Sequence, residues 1–171
     1  MEHLKSKIRH VPDFPKPGIL FYDITTLLND PDGFSDMIGA LAAPYLDRGV
    51  EQVVGIESRG FILGAAVANR LRVGFVPIRK PGKLPSKIHR EDYALEYGID
   101  GLEIHQDAVR DGQRVLIVDD VLATGGTARA ASGLVQRVGG TVVGLSFFIE
   151  LNALNGRARL DGHAVHSVLR Y

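Results

Sequence analysis

Short apolar runs alternate with helix-like segments along most of this chain. The runs are rich in Val, Ile and Leu and cover 52–57, 73–78, 115–118 and 141–149. Apolar runs that lack polar alternation are typical of strands buried on both faces of a parallel sheet. Helix-like segments at 61–70 and 127–138 follow two of the runs. This order predicts a doubly wound α/β fold with a mainly parallel central sheet and flanking helices.

Three other segments complete the predicted organisation. Asp30 followed by Pro31 is typical of an N-cap and the first turn of a helix, which we expect to run to about Leu46. The segment 11–26 is rich in proline and aromatic residues and follows no regular period. The polar segment 81–101 contains proline and glycine and is longer than ordinary connections, so either it is a functional loop or it contains elements that the pattern does not show.

Composition narrows the class of protein. A length of 171 residues favours one domain, and 45% hydrophobic with 23% charged residues is ordinary for a globular protein. A net charge of +0 gives no reason to expect nucleic acid as a partner. Cysteine is absent, which excludes disulfides and thiolate chemistry. No signal-like N-terminus and no apolar window of membrane-spanning length is visible, so we expect a cytoplasmic protein without a membrane partner.

Polar residues follow three of the apolar runs, where the predicted strands end. These groups are Glu57-Ser58-Arg59, Arg79-Lys80 and Asp119-Asp120. In open α/β sheets ligands bind outside the carboxyl ends of the strands, so we expect the three groups to share one edge of the sheet. Two basic groups and one acidic group around one crevice indicate a ligand that carries phosphates together with hydroxyls or a metal ion.

The third run leads into an acidic pair within VLIVDDVLATGGT, residues 115–127. Side chains alternate across a strand, so Asp119 and Asp120 cannot both be buried and paired at low cost. At the end of a strand they can accept hydrogen bonds from sugar hydroxyls or bind Mg²⁺, which prefers carboxylate and phosphate oxygens. A role in capping the next turn remains an alternative for the pair.

The loop after the acidic pair has the composition of a phosphate site. It consists of Ala123, Thr124, Gly125, Gly126 and Thr127. Glycines let backbone N–H groups approach an anion, and a helix beginning near Gly126 adds unpaired N–H groups. Because the loop holds no Lys or Arg, it suits one phosphate monoester held by neutral donors. A plain strand-to-helix turn with Thr127 as N-cap is the alternative.

Three familiar motifs are not supported. GIESRGF at 55–61 has the glycine spacing of a P-loop but lacks the lysine and hydroxyl that follow the second glycine. No GxGxxG fingerprint opens a helix. His163 and His166 would lie on opposite faces of a strand, which argues against a shared metal.

Taken together, the motifs resemble the type I phosphoribosyltransferases, and among them the adenine phosphoribosyltransferase family. VLIVDDVLATGGT is similar to the phosphoribosyl-diphosphate motif of that family. VPDFPKPGILFYDIT, GIESRGFILG, PIRKPGKLP and YALEYG are similar to adenine-specific members, in the same order along the chain. The resemblance spans Val11 to about Leu151 and implies one domain over residues 1–171, with an N-terminal hood at 1–30 and a flexible lid loop at 81–101.

The resemblance implies purine salvage, in which adenine and 5-phosphoribosyl 1-diphosphate give AMP and diphosphate with Mg²⁺ as cofactor. The 123–127 loop would bind the 5′-phosphate, and Asp119 and Asp120 would hold the ribose hydroxyls. Mg²⁺ would be held mainly by diphosphate, with this acidic pair nearby and no direct protein ligand expected. The residues that would neutralise the diphosphate are basic: Arg59, Arg79 and Lys83.

Base recognition and catalysis are implied for the hood and the lid. Phe21 would stack on the purine, and the Leu20 backbone would read its edge. On composition alone Phe21 could equally be a core aromatic. Glu96, beside Tyr97 in LEYG, would act at the purine N7, where a carboxyl can tune the nucleophilicity of N9. Sequence alone does not separate it from its acidic neighbours Glu91, Asp92 and Glu103.

Two other functions remain compatible with this chain. One is the same chemistry on another base, such as xanthine or hypoxanthine, although the N-terminal segment favours adenine. The other is a non-catalytic nucleotide sensor on the same fold, since folds do not determine functions. The retained basic residues and Glu96 favour an enzyme. The resemblance also implies a homodimer, in which Lys83 is the candidate to reach the partner's site.

Overall fold

The computed structural model describes residues 2–94 and 99–171. Glu96 and Tyr97, the two predicted lid residues, lie outside the described residues. The helices are α1 Glu2–Lys5, α2 Thr25–Leu28, α3 Pro31–Ala42, α4 Arg59–Leu71 and α5 Gly126–Arg137. The strands are β1 Arg9–Pro12, β2 Leu20–Asp23, β3 Gln52–Ile56, β4 Gly74–Ile78, β5 Ile88–Ala94, β6 Ile99–His105, β7 Arg114–Leu122, β8 Thr141–Glu150 and β9 Val165–Arg170. Short 3₁₀ segments cover Ala43–Tyr45, Asn152–Leu154 and Gly156–Leu160.

Five parallel strands form the central sheet in the order β4-β3-β7-β8-β9. The chain winds outward from β3 to β4 in one direction and from β7 through β8 to β9 in the other. The point where the direction reverses therefore lies between β3 and β7, and this is where ligands bind in doubly wound folds. The predicted fold class is confirmed. The edge strand β9 was not predicted, because its mixed polar and apolar residues give no continuous run.

Alternate residues of the central strands pack on opposite sides of the sheet. Val53 and Leu116 belong to a core shared with α3 and α4, whereas Val54 and Ile117 belong to a core shared with α5. All four side chains are fully buried. Burial on both faces explains why these strands appear in the sequence as continuous apolar runs.

Helix α3 begins where its sequence predicts. The Asp30 side chain accepts a hydrogen bond from Gly33 N at 2.6 Å and caps the first turn. The helix ends at Ala42 rather than near Leu46, and a 3₁₀ turn follows it. Pro44 explains the earlier end, because proline cannot donate the backbone hydrogen bond that continues an α-helix.

The segment 81–101, predicted as a long lid loop, contains strand β5 and the start of β6. Strands β5 and β6 form an antiparallel hairpin, in register from Ile88↔His105 to Ala94↔Ile99. Within residues 88–93 and 100–105, whose burial the structure describes, only the second strand carries fully buried apolar side chains, Leu102 and Ile104, on the α5 side of the sheet. The first strand, IHREDYA, is mainly polar and is held by ion pairs, so it gives no apolar signal of a strand.

Candidate active site

The three predicted polar groups meet at the carboxyl ends of β3, β4 and β7. Arg59 forms an ion pair with Asp120, and Arg79 forms one with Glu57 at 3.3 Å. These contacts join the groups after β3, at β7 and after β4 across the switch point of the sheet. The prediction that the groups share one edge is confirmed.

The acidic pair lies inside β7 rather than after its end. Strand β7 continues to Leu122 and keeps pairing with β8, while its pairing with β3 ends at Val118. Asp119 and Asp120 therefore extend past the end of β3, where one side of β7 is open to the crevice. The predicted strand end at Val118 holds for the β3 side only.

The two carboxylates have different surroundings. Asp120 is buried and is paired with Arg59. Asp119 Oδ1 accepts a hydrogen bond from the Asp120 backbone N–H at 2.9 Å. Burial, together with the neighbouring Asp120 carboxylate, raises the pKa of Asp119 well above its usual range. Asp120 thus lies beside a permanent cation, the Arg59 guanidinium.

Arg59 links the acidic pair to the N-terminal segment. Its guanidinium carbon lies 5.2 Å from the Phe21 ring centroid, within the range of a cation–π contact. Phe21 is only half-buried and also packs edge-on against Phe14, with centroids 5.1 Å apart. Leu20 is 43% exposed. Phe21 is therefore not a closed core aromatic; it borders the crevice.

A carboxylate that was not among the predicted site residues organises the basic groups. Glu57 Oε1 accepts a hydrogen bond from Lys83 Nζ at 2.5 Å, and Oε2 accepts from the Lys80 backbone N–H at 3.0 Å and from Arg79 Nε at 3.3 Å. Burial alone would raise the pKa of Glu57, but these hydrogen bonds outweigh it and lower the pKa to about 2. Arg79 and Lys83 are thus held together around one anion.

The 123–127 loop presents backbone donors to the crevice. Gly125 is the N-cap of α5 in the left-handed region, with φ of 81°, and no side chain caps the helix there. Thr127 lies within α5, so the alternative in which it is the N-cap is wrong. In the part of the chain that the structure describes, no protein group bonds the hydroxyls of Thr124 and Thr127. The first turn of α5 therefore retains the unpaired N–H groups that an anion needs.

Gly156, which is distant in sequence, packs against the backbone of this loop. A Cβ on Gly156 would lie 2.1 Å from the Ala123 carbonyl oxygen, and a Cβ on Gly125 would lie 2.3 Å from the Gly156 carbonyl oxygen. Neither approach is possible for a residue with a side chain. The two glycines let the loop and the 3₁₀ segment after β8 touch through their backbones.

A metal ion at this edge would need ligands from a substrate. Among residues 2–94 and 99–171, no group of three or more His, Cys, Asp or Glu side chains is arranged to hold a metal. Asp119 and Asp120 offer two carboxylates at the crevice. That donor set fits Mg²⁺ only when phosphate oxygens and water complete the shell.

Three residues around the site were not predicted from the sequence, and only two of them carried a signal in it. Glu57 and Lys80 belong to polar groups that the sequence did single out, but nothing in the sequence indicated their pairing. Gly156 gave no signal, since its role depends on a contact with a loop far away in the chain.

Comparison with known proteins identifies the family of this chain. Residues 25–167 match the model of the phosphoribosyl transferase domain. The chain belongs to the phosphoribosyltransferase family. This assignment agrees with the site, in which a carboxylate pair adjoins an uncapped helix N-terminus on a single stretch of chain.

Similar proteins in this family match over nearly their whole length. The adenine phosphoribosyltransferase of Solibacter usitatus is 62% identical over 171 residues, which is 100% of this chain and 99% of the relative. The crystal structure of the Rhodothermus marinus adenine phosphoribosyltransferase has a TM-score of 0.95 at 55% identity and covers 99% of this chain and 97% of that one.

A yeast phosphoribosyltransferase structure is informative because of its bound molecules. The Saccharomyces cerevisiae adenine phosphoribosyltransferase was crystallised with an imino-altritol bisphosphate and adenine. It has a TM-score of 0.93 at 40% identity, over 98% of this chain and 97% of that chain.

Within the described residues of this chain, no helix is long and apolar enough to span a membrane.

Proposed function

We propose that this phosphoribosyltransferase acts in purine salvage, converting adenine and 5-phosphoribosyl 1-diphosphate into AMP and diphosphate. The observation that carries the proposal is the arrangement of β7 and α5. One stretch of chain presents Asp120 and, a few residues later, the uncapped N-terminus of α5. The full-length similarity to adenine phosphoribosyltransferases supports adenine as the base.

The phosphorylated sugar takes up the centre of the site. The backbone N–H groups of the 123–127 loop and the hydroxyls of Thr124 and Thr127 bind the 5′-phosphate, assisted by the positive end of α5. Asp119 and Asp120 accept hydrogen bonds from the ribose hydroxyls. The charge at Asp120 also stabilises positive charge that develops on the ribosyl group in the transition state.

The diphosphate leaves toward the basic groups. Arg59, Arg79 and Lys83 neutralise its charge, and Glu57 keeps the last two close together before the substrate binds. Asp119 and Asp120, together with diphosphate oxygens, would hold Mg²⁺, which would supply charge neutralisation for the leaving group. These residues favour the departing anion without needing to transfer a proton to it.

The base binds between the hood and the lid. Phe21 stacks on the purine, and the backbone at Leu20 recognises its edge. The C1′–diphosphate bond breaks as N9 bonds to C1′, and the Glu96 carboxylate accepts the proton that adenine loses at N7, so that the N9 lone pair is the nucleophile. Tyr97 lies beside Glu96 in the same lid segment. Closure of that segment protects the ribosyl group from water.

The assembly and location of the protein remain predictions from the resemblance and the sequence. A homodimer would let Lys83, which is 47% exposed in this chain, serve the partner's site as well as its own. A cytoplasmic location agrees with the absence of cysteine but rests on no structural observation.

The deciding experiment is a panel of bases. The protein is incubated with Mg²⁺, 5-phosphoribosyl 1-diphosphate and adenine, hypoxanthine, xanthine or orotate in turn, and the nucleotide formed is measured. AMP formation with the highest kcat/KM for adenine is expected. If kcat/KM were higher for another base, that base rather than adenine would be the substrate. Tight ligand binding without turnover of any base would indicate a sensor.

A further inference from the structure

The 123–127 loop, proposed to bind the 5′-phosphate and called the phosphate loop below, is touched by a short 3₁₀ segment, Gly156–Leu160. The backbone of Gly156 lies so close to Ala123 and Gly125 that neither glycine has room for a Cβ. A segment this short has few backbone hydrogen bonds of its own, and the residues just before it are exposed. The position of Gly156 therefore depends on how its neighbours contact the rest of the molecule.

The Arg157 side chain connects this segment to the end of the central sheet. Its Nε donates a hydrogen bond to Glu150 Oε1 at 2.9 Å, and its Nη2 donates one to Glu150 Oε2 at 2.5 Å. Nη1 donates to the Val165 carbonyl at 2.7 Å, and Nη2 lies 3.3 Å from the Ser167 hydroxyl. Glu150 is the last residue of β8, whereas Val165 and Ser167 belong to β9. One guanidinium thus spans two strands.

The Arg157–Glu150 ion pair is largely protected from solvent and fixed in direction. The Glu150 side chain is 7% exposed and that of Arg157 is 36% exposed. Hydrogen bonds from Arg157 lower the pKa of Glu150 and outweigh the opposing effect of burial. Two parallel hydrogen bonds between a planar guanidinium and a carboxylate set orientation as well as distance. The pair can therefore hold the backbone beside Arg157, including Gly156, in one place.

The other anchor of the segment is apolar and lies at its far end. Leu160 is 2% exposed and packs in the core that includes α5. Apolar burial is not directional, so Leu160 keeps the segment against the core without setting its exact position. Among the described residues, Arg157 is the only one of residues 152–160 whose side chain forms hydrogen bonds. The directional contact near the phosphate loop is therefore supplied by Arg157.

We propose that the Arg157–Glu150 pair positions the phosphate loop by holding Gly156 against it. The carboxylate fixes the guanidinium on the sheet, the guanidinium fixes the adjoining backbone, and that backbone touches the loop. Arg157 and Glu150 are positioning residues, since their charged groups are bound to each other and to β9. The inference rests on the proposed function, because it takes the 123–127 loop as the site of the 5′-phosphate.

The two products of the proposed reaction separate the phosphate loop from the rest of the site. AMP carries the 5′-phosphate, whereas diphosphate lacks it and is proposed to bind the basic groups. Arg157→Met should raise the inhibition constant for AMP roughly tenfold, because donors that shift by a fraction of an ångström hold a phosphate less well. The inhibition constant for diphosphate should change by less than about twofold, since its binding groups stay in place.

Arg157→Lys keeps the test valid if Arg157→Met folds poorly. Lysine retains the positive charge beside Glu150 but cannot form the two-point contact of a guanidinium. We expect Tm to stay close to that of the unsubstituted protein while the inhibition constant for AMP still rises several-fold and that for diphosphate does not. A lysine variant with a normal inhibition constant for AMP would show that the fork geometry is not needed and would overturn the proposal.

Arg159→Met and Arg170→Met are matched controls. Arg159 is an exposed arginine in the same 3₁₀ segment, and Arg170 is an arginine of β9 that reaches Glu150 at 3.4 Å. Neither substitution should change the inhibition constant for AMP by more than about twofold, because exposed charges contribute little. An equal loss with Arg170→Met would mean that compensation of the Glu150 charge matters rather than the position of Gly156, and the proposal would fail.

Binding of ribose 5-phosphate, measured by calorimetry, gives a readout that does not depend on the base. Its Kd should rise roughly tenfold in Arg157→Met. Equal rises in the inhibition constants for AMP and diphosphate would overturn the proposal, since general loosening would affect both, and so would unchanged values. Failure of the unsubstituted protein to form AMP would instead refute the proposed function, and the ribose 5-phosphate measurement would still test the pair. If that protein did not bind ribose 5-phosphate at all, both would be refuted.

Discussion

The segment that we propose binds phosphate and the β5–β6 hairpin are built in different ways. The segment from β7 through the 123–127 loop into α5 is continuous in sequence, and its strand and helix are anchored in the buried core. The hairpin has polar connections to two separate parts of the chain. The Lys80–Asp100 ion pair and the Arg79–Glu103 backbone pair join it to the end of β4, and the Arg137–Glu91 ion pair joins it to α5. The first region is held by close packing, whereas the hairpin combines two buried side chains of β6 with these polar contacts.

This difference predicts how each region responds to substitution. Close-packed backbones cannot adjust by a few tenths of an ångström without affecting the fold, so damage to the phosphate segment should reduce both activity and stability. Exposed ion pairs contribute little stability, so damage to the hairpin should change kinetics and leave the unfolding temperature nearly constant.

The largest effect is expected from Gly156→Ala. The added methyl would lie 2.1 Å from the Ala123 carbonyl oxygen and 2.8 Å from Gly125 N, so the phosphate loop must move. We expect kcat/KM for 5-phosphoribosyl 1-diphosphate to fall by more than about 100-fold and Tm to fall as well, as overpacking costs about 1–3 kcal/mol. Gly133→Ala in α5 is the control, because its methyl would meet nothing within 4 Å. A variant with normal kinetics would show that the loop tolerates movement.

Glu96→Gln should give the second largest effect, in the hairpin region. A loss of roughly 100-fold in kcat is expected, within the usual range for an acid–base group. Tm measured by thermal unfolding should not change. Glu91→Gln is the control, since Glu91 is engaged by Arg137 at 2.6 Å. If Glu91→Gln lowered kcat more than Glu96→Gln, the catalytic carboxyl would have been wrongly assigned.

A smaller effect is expected for Asp119→Asn and Asp120→Asn. Each should weaken substrate use about tenfold, because hydrogen bonds to charged groups are worth about 1.5–3 kcal/mol. Asp120→Asn should be the more severe, since it also leaves Arg59 without its partner. Steady-state kinetics and circular dichroism separate loss of activity from loss of fold, with the exposed Asp107→Asn as control. Normal kinetics in both variants would return the pair to a capping role.

The smallest effect is a pH dependence of stability at Glu57. Its pKa is lowered from 4.5 to about 2, so its contribution to folding is fully present above pH 4.5 and is lost as the pH falls toward 2. The difference in unfolding free energy between the unsubstituted protein and Glu57→Gln should therefore shrink between pH 6 and pH 3. Denaturant unfolding at several pH values measures it. A constant difference would mean that Glu57 is not paired in solution.

The sequence predicted features that depend on local patterns and missed those that depend on contacts between distant residues. The central strands, helix α5, the capping role of Asp30 and the shared edge of the polar groups all depend on local patterns, and these predictions were confirmed. The hairpin was missed because its first strand, β5, is mainly polar and gives no apolar periodicity. Glu57, Lys80 and Gly156 were missed because their roles arise from contacts between distant parts of the chain.

The backbone contact between Gly125 and Gly156 also bears on the order in which the protein is made. A growing chain that ends before Gly156 already contains the whole 115–127 motif, both strands beside it and all of α5. It lacks the surface that supports the phosphate loop from behind. Because chains are synthesised from the N-terminus and their domains fold as units, substrate binding should begin only after the segment around Gly156 has left the ribosome and docked. The presence of the 115–127 motif alone is therefore not enough to form the site.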